Sequence, residues 1–408
     1  MTERLVHRQP WRGMVARLFA LSLAATLAAC VGNVKGPATP PPAAQTDNGP
    51  VAEENRNRVA VLVPTTGPNG ALGRSIANAA SMAMLDANGR NIRLTVYNTA
   101  GGAASAAQRA VAEGSRLILG PLLAEDVRAV APIAHAAGVP VITFSNDVSV
   151  AGNGVYVLGF VPAQSIERVV SYARSRGIER FAGLIPAGVY GQRASAAFLH
   201  AVNDSGGRVV AMQNYTRDAA SITAAVKKLI GATGKAQIRP DGSVAAPRGS
   251  TAGFDALLIA DSGRIALVAA PLLDKAVAGR TQLLGTELWN TEPGLAKAPA
   301  MSGAWFASVP DGTFQQLVTR YRARFNASPY RLSSLGYDAA LLAVKVGKAW
   351  APRTPFPRAA LADSGGFSGI DGAFRFNDSG VAERMLEINQ ITPSGFNSVS
   401  PAPRSFGG

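Results

Sequence analysis

The chain has 408 residues and a formal net charge of +14, and 47% of its residues are hydrophobic but only 7% aromatic. This length suffices for two domains with buried cores, and a composition rich in Ala, Val and Leu suits helices packed on parallel strands. The single cysteine excludes an internal disulfide, and the lack of a Lys/Arg block interleaved with aromatic residues argues against nucleic acid as a partner.

The first 29 residues are typical of a signal peptide. Four arginines, at positions 4, 8, 12 and 17, precede the apolar run 18–29, which is too short to span a bilayer as a permanent helix. The run closes with Leu-Ala-Ala-Cys at 27–30, which resembles the lipobox of bacterial lipoproteins, where the cysteine, here Cys30, is acylated after cleavage. The alternative is an ordinary secretory peptide cleaved near Ala29.

The residues after Cys30 predict where such a lipoprotein is held. By resemblance to the sorting rule of Gram-negative lipoproteins, Val31 in place of Asp directs the chain to the outer membrane. Residues 30–57 are rich in Pro, Ala and Gly without periodicity, which predicts an extended tether. Residues 1–29 hold four arginines and one glutamate, so the mature chain would carry +11 and be attracted to anionic envelope polymers or lipid headgroups.

The stretch 58–86 predicts a strand, a glycine-rich turn and a helix. Residues 59–63 form an unbroken apolar run, as in a parallel strand covered on both faces. Gly67, Gly70 and Gly73 follow, and they allow a tight turn or a close approach to a ligand at the helix N-terminus. The loop is interpreted as a binding loop for a carboxylate or another polar ligand. The alternative interpretation is a tight strand-to-helix turn, as in any α/β protein.

Strands and helices then alternate, which predicts right-handed crossovers and a parallel sheet. The same pattern restarts after residue 155, and two similar open sheets imply two lobes with a cleft between them. A polar loop is predicted at 238–251. Strands are expected at 92–97, 116–119, 139–144, 155–160, 181–185, 208–213 and 254–260, and helices at 103–113, 123–137, 194–202, 222–230 and from 163 and 264.

Five segments in order resemble the type I periplasmic binding fold of the leucine/isoleucine/valine-binding proteins, and the resemblance covers nearly all of residues 58–392. The segments are PTTGPNGALG, LILGPLLAEDVRAVAPIAHAAGVPVITFSND, VYGQRASAAFLHAVNDSGGRVV, LGYDAALLAVKVG and GIDGAFRFNDSGVAERMLEINQI.

Within that fold, the lipobox, the tether and the wording GPLLAEDVRAVAPIA are most similar to the penicillin-binding protein activator lipoproteins. Those are outer-membrane-anchored factors that stimulate a peptidoglycan synthase. The best-known activators carry a helical-repeat N-terminal domain, whereas here only the tether precedes Arg58.

The resemblance implies an α/β fold of two lobes, each a parallel sheet flanked by helices, with three hinge crossings. Lobe one is expected at 58–158 plus 308–365, lobe two at 159–307 plus 366–395, and a tail at 396–408. Because the crossings act as a hinge, the lobes are expected to close around a ligand.

Ligand-binding residues are expected in loops at the carboxyl ends of the strands. A hydroxyl there could donate to a carboxylate, and an acidic side chain could hold an ammonium group. The alternative is that these residues cap helices and form turns. Tyr190 is favoured because Tyr190-Gly191 matches the family's tyrosine-glycine pair. The candidates are Thr65, Thr66, Asn98, Ser145, Asn146 and Asp147 from lobe one, and Tyr190, Asp261 and Glu287 from lobe two.

The sequence predicts a binding protein and no enzyme. His135 and His200 lie within predicted helices without a cysteine partner or metal-like spacing, so neither a catalytic residue nor a metal or cofactor is expected. The main hypothesis is a periplasmic, outer-membrane-anchored lipoprotein that activates a bifunctional penicillin-binding protein, a peptidoglycan synthase. The alternative is the amino-acid- or small-solute-binding lipoprotein of an ABC transporter.

Overall fold

The computed structural model describes residues 52–231, 253–273 and 281–406, together with two short strands, β8 (Gln237–Ile238) and β9 (Val244–Ala245). The predicted signal peptide, Cys30 and most of the tether lie outside the described residues, as does most of the polar loop predicted at 238–251. No helix within the described ranges combines the length and the apolarity needed to cross a bilayer.

The first lobe is built on a five-stranded, wholly parallel sheet in the order β2-β1-β3-β4-β5. The internal strand next to β2 is fully buried from Val59 to Val63, because helices cover both faces of the sheet. The strands are β1 (Asn57–Val63), β2 (Ile92–Asn98), β3 (Leu117–Leu119), β4 (Val141–Thr143) and β5 (Val155–Val157), and the helices are α1 (Gly70–Asp86), α2 (Ala103–Ala112) and α3 (Ala124–Ala136).

The second lobe holds a seven-stranded sheet in the order β17-β16-β12-β11-β10-β6-β7. Its strands are β6 (Arg180–Pro186), β7 (Arg208–Tyr215), β10 (Ala256–Ile259), β11 (Gln282–Gly285), β12 (Trp305–Ser308), β16 (Glu387–Thr392) and β17 (Gly395–Ser400). The helices on its faces are α4 (Pro162–Ser175), α5 (Val189–Asp204), α6 (Ala219–Gly231) and α7 (Gly263–Ala269).

Five of these strands run parallel, and β16 and β17 extend the sheet antiparallel. The sequence prediction assigned residues from 396 onward to a tail, but residues 395–400 form β17. The physical reason is the Phe396 ring, which packs edge-on against Phe306 of β12 with 5.1 Å between centroids.

The chain crosses between the lobes after β5, after β12 and before β16. Helices α8 (Gly312–Phe325) and α9 (Ser333–Gly347) return to the first lobe, where Leu317 and Leu335 join the core beneath β1. A small antiparallel sheet follows, made of β13 (Phe367–Gly369), β14 (Gly372–Phe376) and β15 (Ala382–Arg384).

The third crossing differs from the prediction, which placed it at 366. Phe367 and Phe374 are buried in the core of the first lobe, whereas Leu386 and Ile388 belong to a core of the second lobe. The chain therefore passes into the second lobe between Ala382 and Leu386, because the aromatic side chains of the small sheet pack against the first lobe.

Two glycines allow each lobe's helix to pack closely on the preceding strand. A Cβ built on Gly73 of α1 would lie 1.8 Å from the carbonyl oxygen of Pro64, and one on Gly191 of α5 would lie 1.6 Å from that of Pro186. Gly73 thus serves helix packing, which supports the tight-turn interpretation of the glycine-rich loop for this position.

We predict that Gly73→Ala lowers the free energy of unfolding by about 1–3 kcal/mol, because the added methyl group must displace the neighbouring backbone. Gly312→Ala is the matched control, since a Cβ there has nothing within 4 Å and Gly312 is helical; it should be neutral or slightly stabilising. Urea unfolding measures both. Equal stability of the two variants would contradict the packing argument.

Candidate functional site

A cavity of about 370 Å³ lies between the two lobes. Its walls come from loops at the carboxyl ends of β1, β3 and β4, from the turn after β11, and from the chain near the crossings, which is where open parallel sheets bind ligands. The lining residues are Asn69, Leu72, Leu122, Leu123, Phe144 and Asn146 from the first lobe, Glu287, Leu288, Asn290, Thr291 and Ser308 from the second, and Phe160, Val309, Arg331 and Leu332 near the crossings.

Glu287 is the acidic residue of this cavity. It begins the 3-10 turn Glu287–Thr291 after β11, and its Oε2 accepts a hydrogen bond from the Ser165 hydroxyl at the start of α4. Burial raises the pKa of Glu287 to about 7, although the hydrogen bond from Ser165 acts in the opposite direction. The carboxyl group therefore exchanges its proton near neutral pH and can face either a hydrogen-bond donor or a cation.

Tyr190 lies near both Glu287 and Asp261 in the second lobe, but neither Tyr190 nor Asp261 lines the cavity. Burial raises the pKa of Tyr190, and the neighbouring Glu287 and Asp261 carboxylates act in the same direction. The Asp261 carboxylate accepts from the Tyr215 hydroxyl at 2.8 Å and from Nε of Arg217 at 2.9 Å. Asp261 is thus already paired within its lobe, which leaves Glu287 as the acid on the cavity wall.

Of the first-lobe candidates after β4, Asn146 lines the cavity and Asp147 joins the two lobes. The Asp147 carboxylate accepts from Arg193 of α5 at 2.6 Å and from Arg128 of α3 at 2.8 Å. Burial alone would raise its pKa, but hydrogen bonds from Ser149 and Arg193 outweigh it and lower the pKa of Asp147 to about 2. Asp147 therefore remains charged and forms an ion pair across the cleft.

The other first-lobe candidates hydrogen-bond among themselves and to the backbone. Asn98 Oδ1 accepts from the backbone N–H of Thr65 at 2.8 Å, and its Nδ2 donates to Thr66 Oγ1 at 3.0 Å. The buried Ser145 Oγ accepts from the backbone N–H of Asp147 at 3.1 Å. These contacts are those of turn formers, which was the alternative interpretation.

Apolar residues form most of the cavity wall, and the selection of polar candidates from sequence missed them. Leu122 and Leu123 precede α3, so the wall here adjoins a helix N-terminus with free backbone N–H groups. Phe144 and Phe160 follow β4 and β5. The sequence signal that could have identified them is position alone: each is an apolar residue just beyond a buried strand.

Buried arginine and aspartate side chains connect the cavity to the crossings. Arg331, on the cavity wall, lies 2.7 Å from the Asp371 carboxylate. Arg384 is 8% exposed, its Nη2 donates to the Leu158 carbonyl at 2.7 Å, and its guanidinium lies 5.0 Å from the Phe160 ring centroid. The position of Phe160 in the wall therefore depends on the third crossing.

No group of three or more His, Cys, Asp or Glu side chains suited to a metal ion occurs among residues 52–231, 253–273 and 281–406. His135 and His200 are both exposed on helices, α3 and α5, rather than in the cavity.

Solved structures share this fold at low sequence identity. A putative branched-chain amino acid ABC transporter protein from Rhodospirillum rubrum is 18% identical, with a TM-score of 0.69 over 84% of this chain and 100% of that chain. An ABC transporter substrate-binding protein from Desulfitobacterium hafniense, solved in complex with Leu, is also 18% identical, with a TM-score of 0.60 over the same shares.

A curated relative, an uncharacterized protein from Rickettsia prowazekii (strain Madrid E), is 28% identical over 145 residues, which are 35% of this chain and 39% of that protein. The chain thus matches well under half the length of that relative. The family model described as periplasmic binding protein matches residues 57–395, from the first residue of β1 to the first residue of β17. With the two-lobed architecture, this match shows that the chain belongs to the periplasmic binding protein family.

Proposed function

We propose that the protein binds a small solute between its lobes and serves as the substrate-binding component of an ABC transporter. The observation that carries this proposal is the cavity itself, which both lobes line and which has one acid, Glu287, in a mostly apolar wall. Its volume of about 370 Å³ suits a small molecule. The similar solved structures are substrate-binding proteins, so they favour this alternative over the activator hypothesis.

The two poles of the cavity favour an amino acid with an apolar side chain. Backbone N–H groups at the start of α3, beside Leu122 and Leu123, suit a carboxylate in part, because Glu125 and Asp126 in the same turn oppose an anion. Glu287, contributed by the other lobe, suits an ammonium group. Leu72, Phe144 and the remaining apolar residues suit the side chain between them, and the Leu complex of the Desulfitobacterium hafniense protein agrees with this choice.

We predict that leucine or a related apolar amino acid raises the melting temperature of the purified protein, because only the native state binds it. Glu287→Gln should weaken binding by at least about tenfold, since the ammonium group loses its charged partner. Calorimetry and thermal shift measure this. Glu179→Gln, at an exposed glutamate outside the cavity lining, is the matched control and should bind normally. A complete screen of amino acids without any shift would reject this ligand class.

Binding should also depend on pH. Because the folded pKa of Glu287 is raised to about 7, the native state keeps a proton that the unfolded chain releases above its ordinary value of 4.5. Its stability contribution is therefore present below pH 4.5 and is lost as pH rises to about 7. Affinity for an ammonium ligand should conversely rise with pH and level off above about 7. Glu287→Gln should flatten the affinity profile, and an unchanged profile would exclude Glu287 as the titrating group.

The activator hypothesis is the second candidate, favoured by the sequence segment at 120–134. In the structure this segment forms the loop after β3, with the cavity wall at Leu122 and Leu123, and most of α3, so fold and cavity already account for it. Adding purified residues 58–408 to a bifunctional penicillin-binding protein separates the hypotheses. An altered glycosyltransferase or transpeptidase rate would support activation, whereas solute binding alone predicts no change.

Membership of the periplasmic binding protein family implies an extracytoplasmic location. We further propose that acylated Cys30 anchors the protein in the outer membrane, on the basis of the lipobox-like run at 27–30. Cys30→Ser should release the protein from the membrane fraction after a high-salt wash, because the lipid attachment is lost. A variant that stays with outer membranes after the wash would rule out the anchor.

A further inference from the structure

Three arginines form a row at the amino-terminal edge of the first-lobe sheet. Arg58 of β1 and Arg93 of β2 are register partners. Arg116 directly precedes β3, and its backbone N–H donates to the Arg58 carbonyl at 2.9 Å. All three residues are exposed. We refer to Arg58, Arg93 and Arg116 as the arginine row.

The row carries more positive charge than its surroundings neutralise. Arg93 pairs with Glu53 at 2.7 Å, whereas Arg58 donates to the backbone carbonyl of Glu113 at 2.6 Å. Neither Arg58 nor Arg116 forms an ion pair with a carboxylate in the part of the chain that the structure describes. Like charges on adjacent positions of neighbouring strands are destabilising, so the row costs stability unless an external anion compensates.

An amphipathic groove of about 380 Å³ lies at the same amino-terminal edge, on the face of the sheet opposite to the arginine side chains, because Ile92 and Leu94 of its lining flank Arg93 in β2. Arg56 and Arg90 line it together with Met84, Leu85 and Leu94, and Leu85 is 59% exposed. Cations near an exposed aliphatic side chain match the boundary between phosphate headgroups and acyl chains, which a soluble polyanion does not offer.

The chain enters the first lobe at the same edge. The short 3-10 helix Glu53–Asn55 leads directly into β1, and Glu53 pairs with both Arg56 and Arg93. The described chain therefore begins beside the arginine row. The ligand cavity lies at the opposite, carboxyl ends of the same strands, about 20 Å away for strands of this length.

We propose that the amino-terminal edge of the first lobe docks on an anionic lipid surface. The arginine row contacts the phosphate groups, and the exposed Leu85 reaches the acyl boundary. Docking in this way holds the cavity away from the membrane. The inference does not depend on which solute the cavity binds, and it needs no acyl chain on Cys30.

The test uses the mature chain with Cys30→Ser, so that no lipid modification contributes. Cosedimentation with vesicles of phosphatidylcholine alone and of phosphatidylcholine mixed with phosphatidylglycerol measures the affinity. We expect binding to the anionic vesicles only, weakened by salt. The triple variant Arg58→Gln, Arg93→Gln, Arg116→Gln should bind at least about tenfold more weakly.

A matched triple variant removes the same charge elsewhere, at the exposed Arg208, Arg264 and Arg322, and should retain most of the affinity. Replacing the row with three lysines should also retain it, since the charge is kept. Circular dichroism confirms that each variant is folded. If the triple row variant unfolds, Arg116→Gln alone replaces it in the test and is expected to weaken binding by less than the triple change.

Equal losses in the two glutamine triples would overturn the proposal, because net charge rather than the row would then explain binding. Equal binding to neutral vesicles would overturn it as well. Leu85→Gln should weaken vesicle binding but leave binding to polyphosphate unchanged. Binding of the parent protein to polyphosphate and not to anionic vesicles would exclude a lipid surface as the partner.

Discussion

Strand polarity is the constraint on which the rest of this structure depends. In a parallel sheet the chain must return through a helix after each strand, so all carboxyl ends lie at one edge and all amino ends at the other. In the first lobe the carboxyl edge carries Asn146 and the start of α3, both at the cavity, and the amino edge carries the arginine row. The first-lobe sheet thereby has a mostly apolar cavity at one edge and a cationic surface at the other.

The two lobes form one cavity only if the three crossings are held together. Buried charged side chains hold the crossings together. Asp338 accepts backbone N–H bonds from Ile370 and Asp371 at 2.6 and 3.3 Å, and burial raises its pKa. Arg331 pairs with Asp371, and Arg384 bonds to the chain of the first crossing. Buried ion pairs add little net stability compared with apolar packing, but breaking one is costly. They therefore favour a single arrangement of the hinge.

The architecture could be predicted from the sequence because it depends on patterns repeated over many residues. Apolar runs such as 59–63 and helical spacing gave the alternation of both lobes, which the family match and the shared fold confirm. The third crossing could not be placed because it depends on where Phe374 packs, a contact distant in sequence. Selection by polarity found Asn146 and Glu287 but missed Phe160, because a mostly apolar wall is recognisable only after the strands are assembled.

Under the proposed function, the solute that occupies the cavity contributes to closure of the lobes. The Asp147–Arg193 ion pair crosses the cleft, but the Arg193 side chain is 32% exposed and Arg128 shares the same carboxylate. Because the Asp147 side chain is only 9% exposed and its pKa is lowered to about 2, the pair contributes more than an exposed surface pair and favours the approach of the lobes. Burying about 100 Å² of apolar ligand surface against Phe144 and its neighbours contributes roughly 2.5 kcal/mol. Under the proposed function, the ion pair and the buried ligand surface together shift the population towards the closed form.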